Sequence, residues 1–561
     1  MEKICLLILT VPCWASTRPH IIHILADDMG WAEVGYHRED DGDVKTPRID
    51  ALARSGIELD RFYSYQFCSP ARSAIQTGRN PVHVNVQNVK PECVNSKDQE
   101  GGFQGIPINM TGIASLLKRG GYRTHMVGKW DVGMATAAHH PRARGYESWF
   151  GYWHHTNDYW QHTEGMCGLK KMRDLWIFNA SYDGPAYHLQ NGPSCSQENQ
   201  NPVNETCVFE EALFAEAAKS VIRNHNVAEP LFLFWALHLV HMPLQIPEAY
   251  EKKFSFIKEK HRRLMHAMVN FMDDEIGEVV DLLKERGMWN NSLVVFHSDN
   301  GGEIMAKGIC GGNNWPLRGG KFSNFEGGIR VNAFVNGGYV PPGRRGSKLE
   351  GFVTAWDWYA TYAGLAGVDA EDHQAKAAGL PPHDSLDVWP WLSGVTASSP
   401  RDEVIVGETS SQTPNGDGQT FVGGVIRGRY KLLVGVDARK WNTLYLTERV
   451  SQNVMTGPKW PNSSSHLAPL LHPRKCGRTP EEGCLFDVFA DPGEDTSLAA
   501  SQPDIFKFLL KRVDELQRSV YSPDRGPEDH GACKKAKQEY HGYWGPWLEV
   551  PQQPATEALV V

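Results

Sequence analysis

His20-Ile21-Ile22-His23-Ile24-Leu25-Ala26-Asp27-Asp28 is an apolar, β-branched run that stops abruptly at two acids. His20 to Ala26 reads as a strand buried on both faces, as a parallel sheet covered by helices requires. Working outward, the same alternation repeats. Thr46 is placed to cap a helix with Pro47 at its first position and Gly56 past its end. Thr111 is placed to cap a second, closed by Gly120–Gly121, and Tyr122 to Val127 follows as a strand. A helix over Phe209 to Ile222 precedes the strand Leu231 to Ala236, and a long helix over Leu264 to Arg286 precedes Leu293 to Phe296. This order predicts an α/β unit over 17–400, built on a large, mixed, mostly parallel sheet flanked by helices.

After about residue 400 the crossover helices stop. Val404 to Gly407, Thr420 to Ile426, Tyr430 to Val434 and Cys484 to Phe489 read as short strands, and Pro503 to Ser519 as a helix. A smaller antiparallel sheet plus helix is expected over 401–561.

The 561 residues carry 57 Lys+Arg against 66 Asp+Glu, a net charge of −9. That balance argues against a nucleic-acid or anionic-membrane binder. Lys3, the apolar run Ile4 to Val11 and Cys13-Trp14-Ala15 form a signal-peptide pattern over 1–16. No apolar run reaches the ~20 residues of a membrane span, and Ala558-Leu559-Val560-Val561 matches no retention or lipid signal. The expected address is the secretory pathway, ending outside the cell or in a lysosome-like compartment. Of 11 cysteines, Cys5 and Cys13 leave with the signal; Cys68 apart, an even set remains: Cys93, Cys167, Cys195, Cys207, Cys310, Cys476, Cys484 and Cys533. No CxxC pair suggests zinc or redox chemistry, so disulfides are expected. Sequons at Asn109, Asn179, Asn204, Asn290 and Asn462 agree with that compartment.

Four polar groups follow four of the strands: Asp27–Asp28, Lys129, His241 and Asp299–Asn300. Open parallel sheets bind ligands outside the carboxyl ends of their strands. Singly, each has an ordinary reading: an acidic pair caps helices, Asn300–Gly301 is a turn dipeptide, and lone lysines and histidines are usually solvated. Their joint placement is what points to a site. The most specific element is Cys68-Ser69-Pro70-Ala71-Arg72, followed by Thr77-Gly78-Arg79. Ser69 is placed to cap a helix with Pro70 in its first turn. That puts Cys68 at the positive end, where anions bind, beside the permanent planar cation of Arg72. Such a site suits a tetrahedral oxyanion.

CxPxR is the signature of the sulfatases, and the chain resembles that family along almost its whole length, most of all its arylsulfatase B-like (N-acetylgalactosamine-4-sulfatase-like) branch. Further matching blocks are Ala26 to Trp31, Gly121 to Trp130, Val240 to Leu244, Ser298 to Gly302, Asn313 to Arg318 with Lys321 and Glu326-Gly327-Gly328, and Leu485-Phe486-Asp487 through Asp491-Pro492. The resemblance implies an alkaline-phosphatase-like fold and hydrolysis of sulfate monoesters. It implies that Cys68 becomes formylglycine through the formylglycine-generating enzyme. Asp27, Asp28, Asp299 and Asn300, with residue 68, would bind one divalent cation. An all-oxygen set suits calcium or magnesium rather than zinc, and the family favours calcium. One hydroxyl of the hydrated aldehyde would attack sulfur, with Asp299 a candidate acceptor for its proton. Arg72 and Lys129 would hold the nucleophile, Lys129 and Lys321 the sulfate, and His241 with Lys321 the leaving oxygen. By the same resemblance Cys93 would pair with Cys533.

One departure bears on turnover. The family has a histidine two residues after the lysine; this chain has Lys129-Trp130-Asp131. An ordinary aspartate titrates near 3.9 and a histidine near 6.5. Three readings follow: Asp131 is a working base, one of His139, His140, His154 or His155 replaces it, or turnover is crippled. A working enzyme is expected, since the rest of the site is intact. Gln66, Phe67 and Gln76 also depart from the family pattern, outside the CxPxR core. Trp149, Trp153, Tyr159 and Trp160 are candidates for stacking on sugar rings or for packing under a loop. The expected substrate is a sulfated sugar or glycan, with aryl sulfates serving in assays. Alternatives are a phosphate or phosphonate monoesterase, and a catalytically silent secreted binder of sulfated glycans.

Overall fold

The computed structural model describes residues 18–38, 44–88, 90–168, 170–203, 206–304, 310–410, 419–434 and 476–549. The signal segment 1–16 and the sequons Asn204 and Asn462 lie outside them.

Ten strands form the main sheet: β1 (His20–Ala26), β2 (Ile57–Leu59), β3 (Arg123–Lys129), β4 (Ser148–Tyr152), β5 (Trp176–Phe178), β6 (Asp183–Pro185), β7 (Leu231–Ala236), β8 (Ser292–Ser298), β9 (Ala333–Asn336) and β10 (Ser347–Leu349), in the order β10-β2-β9-β8-β1-β7-β3-β4-β5-β6. The centre, β8-β1-β7-β3-β4, is wholly parallel, and antiparallel pairs flank it. Every residue of β1 is buried. Ile21 and Leu25 enter one core with the helix Ile113–Arg119, while Ile22 and Ile24 enter the other with the helices Glu210–Asn224 and Lys260–Glu285. Alternate side chains of one strand therefore seed two cores, which is why the run lacks polar alternation.

A second sheet of four antiparallel strands, β11 (Glu403–Ser410), β12 (Gln419–Arg427), β13 (Tyr430–Leu433) and β14 (Cys484–Asp487), packs with the helix Pro503–Gln517. Residues after 520 return to the large unit: Arg525 donates to the carbonyls of Gly105 and Asn85, and Leu548 N to Ala135 O.

Three local expectations need correction. Thr46 does precede the helix Pro47–Ser55, but its hydroxyl donates to Asp50 and accepts from the amide of Gly35, not from an amide of the helix's first turn. Thr111 is held by Asp372, and Gly112 precedes the helix Ile113–Arg119. Cys533 pairs with Cys167 rather than Cys93, because the helix Gly531–Gln538 brings their Cα atoms to 5.3 Å. The other disulfides are Cys195–Cys207 and Cys476–Cys484; Cys93 and Cys310 are buried thiols. Among the described residues, no helix is long and apolar enough to cross a membrane.

Candidate active site

Strand register decides where the chemistry emerges. Ala26 lies opposite Ser298, Leu25 opposite Ala236, and Ala236 opposite Gly128. The four strands end level, so Asp27–Asp28, Asp299–Asn300, Lys129 and the segment carrying His241 leave from one edge. At Gly128 a Cβ would lie 1.9 Å from the carbonyl oxygen of Ala236, and φ is 92°. Only glycine lets β3 approach β7 this closely just before Lys129. The helix Cys68–Thr77, buried throughout, delivers Cys68 in its first turn and Arg72 one turn later. Phe67 precedes that helix, so Ser69 lies inside its first turn instead of capping it; its side chain faces Asp131.

Three carboxylates interlock with three cations. Lys129 Nζ donates to Asp27 Oδ2 at 2.7 Å, Lys321 Nζ to Asp28 Oδ2 at 2.7 Å, and Arg72 Nε to Asp299 Oδ2 at 2.9 Å. Arg72 also reaches Asp27 Oδ2 and the Lys129 carbonyl, each at 3.4 Å. His241 Nδ1 donates to Met242 O at 2.6 Å, which leaves Nε2 to accept from Lys321 Nζ at 2.9 Å. Burial, and then the two lysines, holds the His241 pKa well below the usual range, in keeping with that neutral tautomer. Cys68 Sγ lies 3.3 Å from Asp27 Oδ1 and 3.8 Å from Asp28 Oδ1. Burial, and then Asp27, pushes its thiol well above the ordinary range.

Part of this set could hold a metal ion, although Asp299 lies outside that part, with Arg72 on its Oδ2. One potential ligand atom from each of Asp27, Asp28, Cys68 and His241 lies within 4.8 Å of the others. Asn300 donates through Nδ2 to Asp28 Oδ1 at 2.6 Å, while its Oδ1 is buried with no hydrogen-bond partner. A buried amide oxygen without a donor is costly unless a cation meets it. Asp28, at φ 58°, turns the chain so that its amide meets Asp299 Oδ1 at 3.2 Å.

Comparison with known proteins gives this edge its family. The sulfatase family model matches residues 19–368. This chain belongs to the sulfatase family. Mouse arylsulfatase J is 30% identical over 548 residues, covering 95% of this chain and 81% of its own. Human N-acetylgalactosamine-6-sulfatase is 30% identical over 365 residues, 64% of each chain. Among solved structures, Ps i-CgsB in complex with k-i-k-neocarrahexaose aligns with TM-score 0.66 at 25% identity, covering 93% of this chain and 97% of that one. As a sulfatase, the protein is a sulfuric ester hydrolase, and its substrate is sulfated.

The remaining candidates of this sulfatase divide clearly. Asp131 is buried beside the site, accepting from Asn88 Nδ2 at 2.8 Å with Lys129 Nζ 3.8 Å away. Of the four histidines considered as substitutes, His139 bonds Thr136, His140 packs among Trp149, Trp153 and Phe178, and His154 is tied to Asp174. His155 is half-buried, has an unpartnered Nδ1, and feels the charges of Lys129 and Lys321. Trp149, Trp153, Tyr159 and Trp160 are no more than 3% exposed, so they pack the core and do not stack on sugars. Asn179 and Asn290 are exposed, whereas Asn109 is half-buried with its Nδ2 on Glu100. Sequence reading missed Asn88, Asn314 and the pair Glu210–Glu211. Asn314 pins the loop of Lys321 to the loop after β8 through Gly302 and Gly319; it lay within a matching block, but its side-chain role had no local signal.

Proposed function

We propose that this sulfatase hydrolyses sulfate monoesters of sugars or glycans, aryl sulfates serving as assay substrates, with Cys68 converted to formylglycine and one calcium ion as cofactor. The observation that carries this reading is Cys68 Sγ at 3.3 Å from Asp27 Oδ1, between two lysines that each lie 2.7 Å from an aspartate. Asp27, Asp28, Asp299 and Asn300 would hold the cation, which would polarise the sulfate; an oxygen-rich set suits calcium, and magnesium is the lesser candidate. Formylglycine, when hydrated, supplies an oxygen nucleophile where the buried thiol supplies none.

The chain's own residues do the rest. Arg72, its guanidinium fixed by Asp299, orients residue 68. Lys129 and Lys321 aim their ammonium groups at sulfate oxygens, compensating charge that the acidic protein as a whole does not. Lys321 keeps a proton facing His241 Nε2, so the pair binds the bridging oxygen and protonates the departing alcohol. Asp131 is the base that takes a proton as sulfate is released. Residues 17–400 form the catalytic unit, 401–561 buttress it, and maturation takes place in the secretory pathway with the formylglycine-generating enzyme as partner. The oligosaccharide bound to Ps i-CgsB and the sugar in the name of N-acetylgalactosamine-6-sulfatase support a glycan substrate.

The test compares 4-nitrophenyl sulfate, 4-nitrophenyl phosphate and a phenylphosphonate monoester, before and after EGTA treatment. Sulfate turnover should far exceed the other two, vanish with EGTA and return with calcium better than with magnesium. Preferred phosphoester cleavage would overturn the reading. So would sulfated-glycan binding without turnover.

A further inference from the structure

The helix Glu210–Asn224 opens on two adjacent glutamates that are completely buried. Buried carboxylates are expensive unless donors meet them. Here both meet one short segment, the one that carries His241 into the site. Glu211 Oε1 accepts from His238 N at 2.6 Å, and the Leu239 amide bonds the same carboxylate. Glu210 Oε1 is 2.9 Å from His238 Nδ1, and its Oε2 accepts from Asn157 Nδ2 at 2.5 Å. Beyond these anchors the segment turns back on itself and onto the metal-side loop. His241 N donates to His238 O at 2.9 Å, Val240 N to Asp27 O at 2.6 Å, and Asp27 N to Leu239 O at 2.8 Å. From the opposite side, Tyr159 Oη lies 2.8 Å from His238 O and 2.9 Å from His241 O, and its ring stacks on His238 at 4.0 Å.

We propose that Glu210 and Glu211 are positioning residues for His241, gripping the 238–241 segment so that His241 Nε2 stays in line with Lys321 and the departing oxygen. They touch no reacting atom and act through the backbone of the segment. The inference rests on the role given above to His241. Apart from Asn157, the donors that meet this pair all lie on the one segment that delivers His241.

The experiment is a mutant cycle on the full-length protein, using 4-nitrophenyl sulfate and an alkyl sulfate. Glu210→Gln and Glu211→Gln keep shape while exchanging an acceptor oxygen for a donor. Tyr159→Phe, which deletes one hydroxyl, serves if the glutamine variants do not fold. Each is made in the native and the His241→Ala backgrounds, with Tm recorded. In the native background, kcat should fall about 10- to 100-fold with KM little changed, and the fall should be larger for the alkyl sulfate, whose leaving group needs more assistance. In the His241→Ala background the same changes should add less than about twofold, as expected of residues acting through one another. Equal losses in both backgrounds, or losses that simply follow Tm, would overturn the positioning role while leaving His241 intact. A His241→Ala variant with native turnover would overturn the His241 reading and this inference with it.

Discussion

Asp131 occupies a left-handed backbone position, φ 57°, directly beyond β3. Aspartate tolerates that region better than bulky side chains do, and the conformation turns its carboxylate back toward Lys129. Burial raises its pKa, opposed by Lys129, Asn88 and Arg72. A carboxylate pushed upward is a better proton acceptor than an ordinary one, so the missing histidine does not by itself imply silence. Asp131→Asn should lower kcat by about 100-fold or more, the scale of a lost general base, while Asp131→His should retain turnover with a displaced pH profile. Native turnover in the asparagine variant would move the role to His155, the half-buried histidine within reach of both lysines' charge. The placement of Asp27, Asp28, Asp299 and Asn300 just past strand ends, of Lys129 at the end of β3 and of His241 in the segment after β7 was legible from the strand pattern. Glu210 and Glu211 were not. Two acids at a helix start look like ordinary dipole partners, and only tertiary packing reveals that they face inward.

At the scale of elements, the small sheet reaches the site through a buried charge cluster. Lys431 Nζ on β13 lies 3.0 Å from Glu326 Oε1 and 2.9 Å from Glu494 Oε1, and Glu326 N donates to Glu494 Oε2 at 2.6 Å. Glu326 stands five residues after Lys321, so the cluster ties the C-terminal strands to the loop that carries this proposed sulfate ligand. Burial holds the Glu494 pKa up at about 7, against the pull of Lys431. Lys431→Met would leave Glu494 buried without its cation and Glu326 with only the Arg330 cation, at 3.8 Å. It should cost about 3–5 kcal/mol, read as a lower denaturant midpoint; an unchanged midpoint would show that the cluster is dispensable. The strands and long helices of this region were readable from periodicity. Caps were not: Thr46, Ser69 and Thr111 all sit where a cap is expected, yet their hydroxyls or amides serve Asp50, Asp131 and Asp372. Disulfide partners were equally hidden, since the Cys167–Cys533 bridge spans 366 residues and spacing carries no information at that range.

Across the whole molecule, two opposed sets of buried groups set the pH response. Burial raises Asp273 to about 7 and Glu211 to about 8, and Glu494 also sits near 7. An acid whose folded pKa is raised stabilises most when protonated, so this contribution is lost as pH climbs through 7 to 8. Burial lowers His20, His125 and His162 to about 4 and His297 to about 3, while His23 and His139 lie well below their usual range. A histidine with a depressed folded pKa contributes stability above about 6.5 that is lost as pH falls toward 4. Above about 6.5 only the raised acids, Glu210 among them, change their protonation, while below it the lowered histidines oppose them, so Tm should rise on acidification from pH 8 to about 6.5 and level off or fall below it. A Tm still climbing at pH 4.5 would contradict this balance. Net charge and the strand–helix alternation were visible in the sequence, but this opposition was not, because it depends on which ionisable groups the two cores enclose.

The proposed chemistry depends on the state of residue 68, so the decisive measurement is the mass of the tryptic peptide Phe62 to Arg72 from protein secreted by a host that has the modifying enzyme. The account predicts a peptide in which the sulfur of Cys68 is replaced by a carbonyl oxygen. An unmodified thiol in that peptide, in protein that nonetheless cleaves sulfate esters, would contradict it.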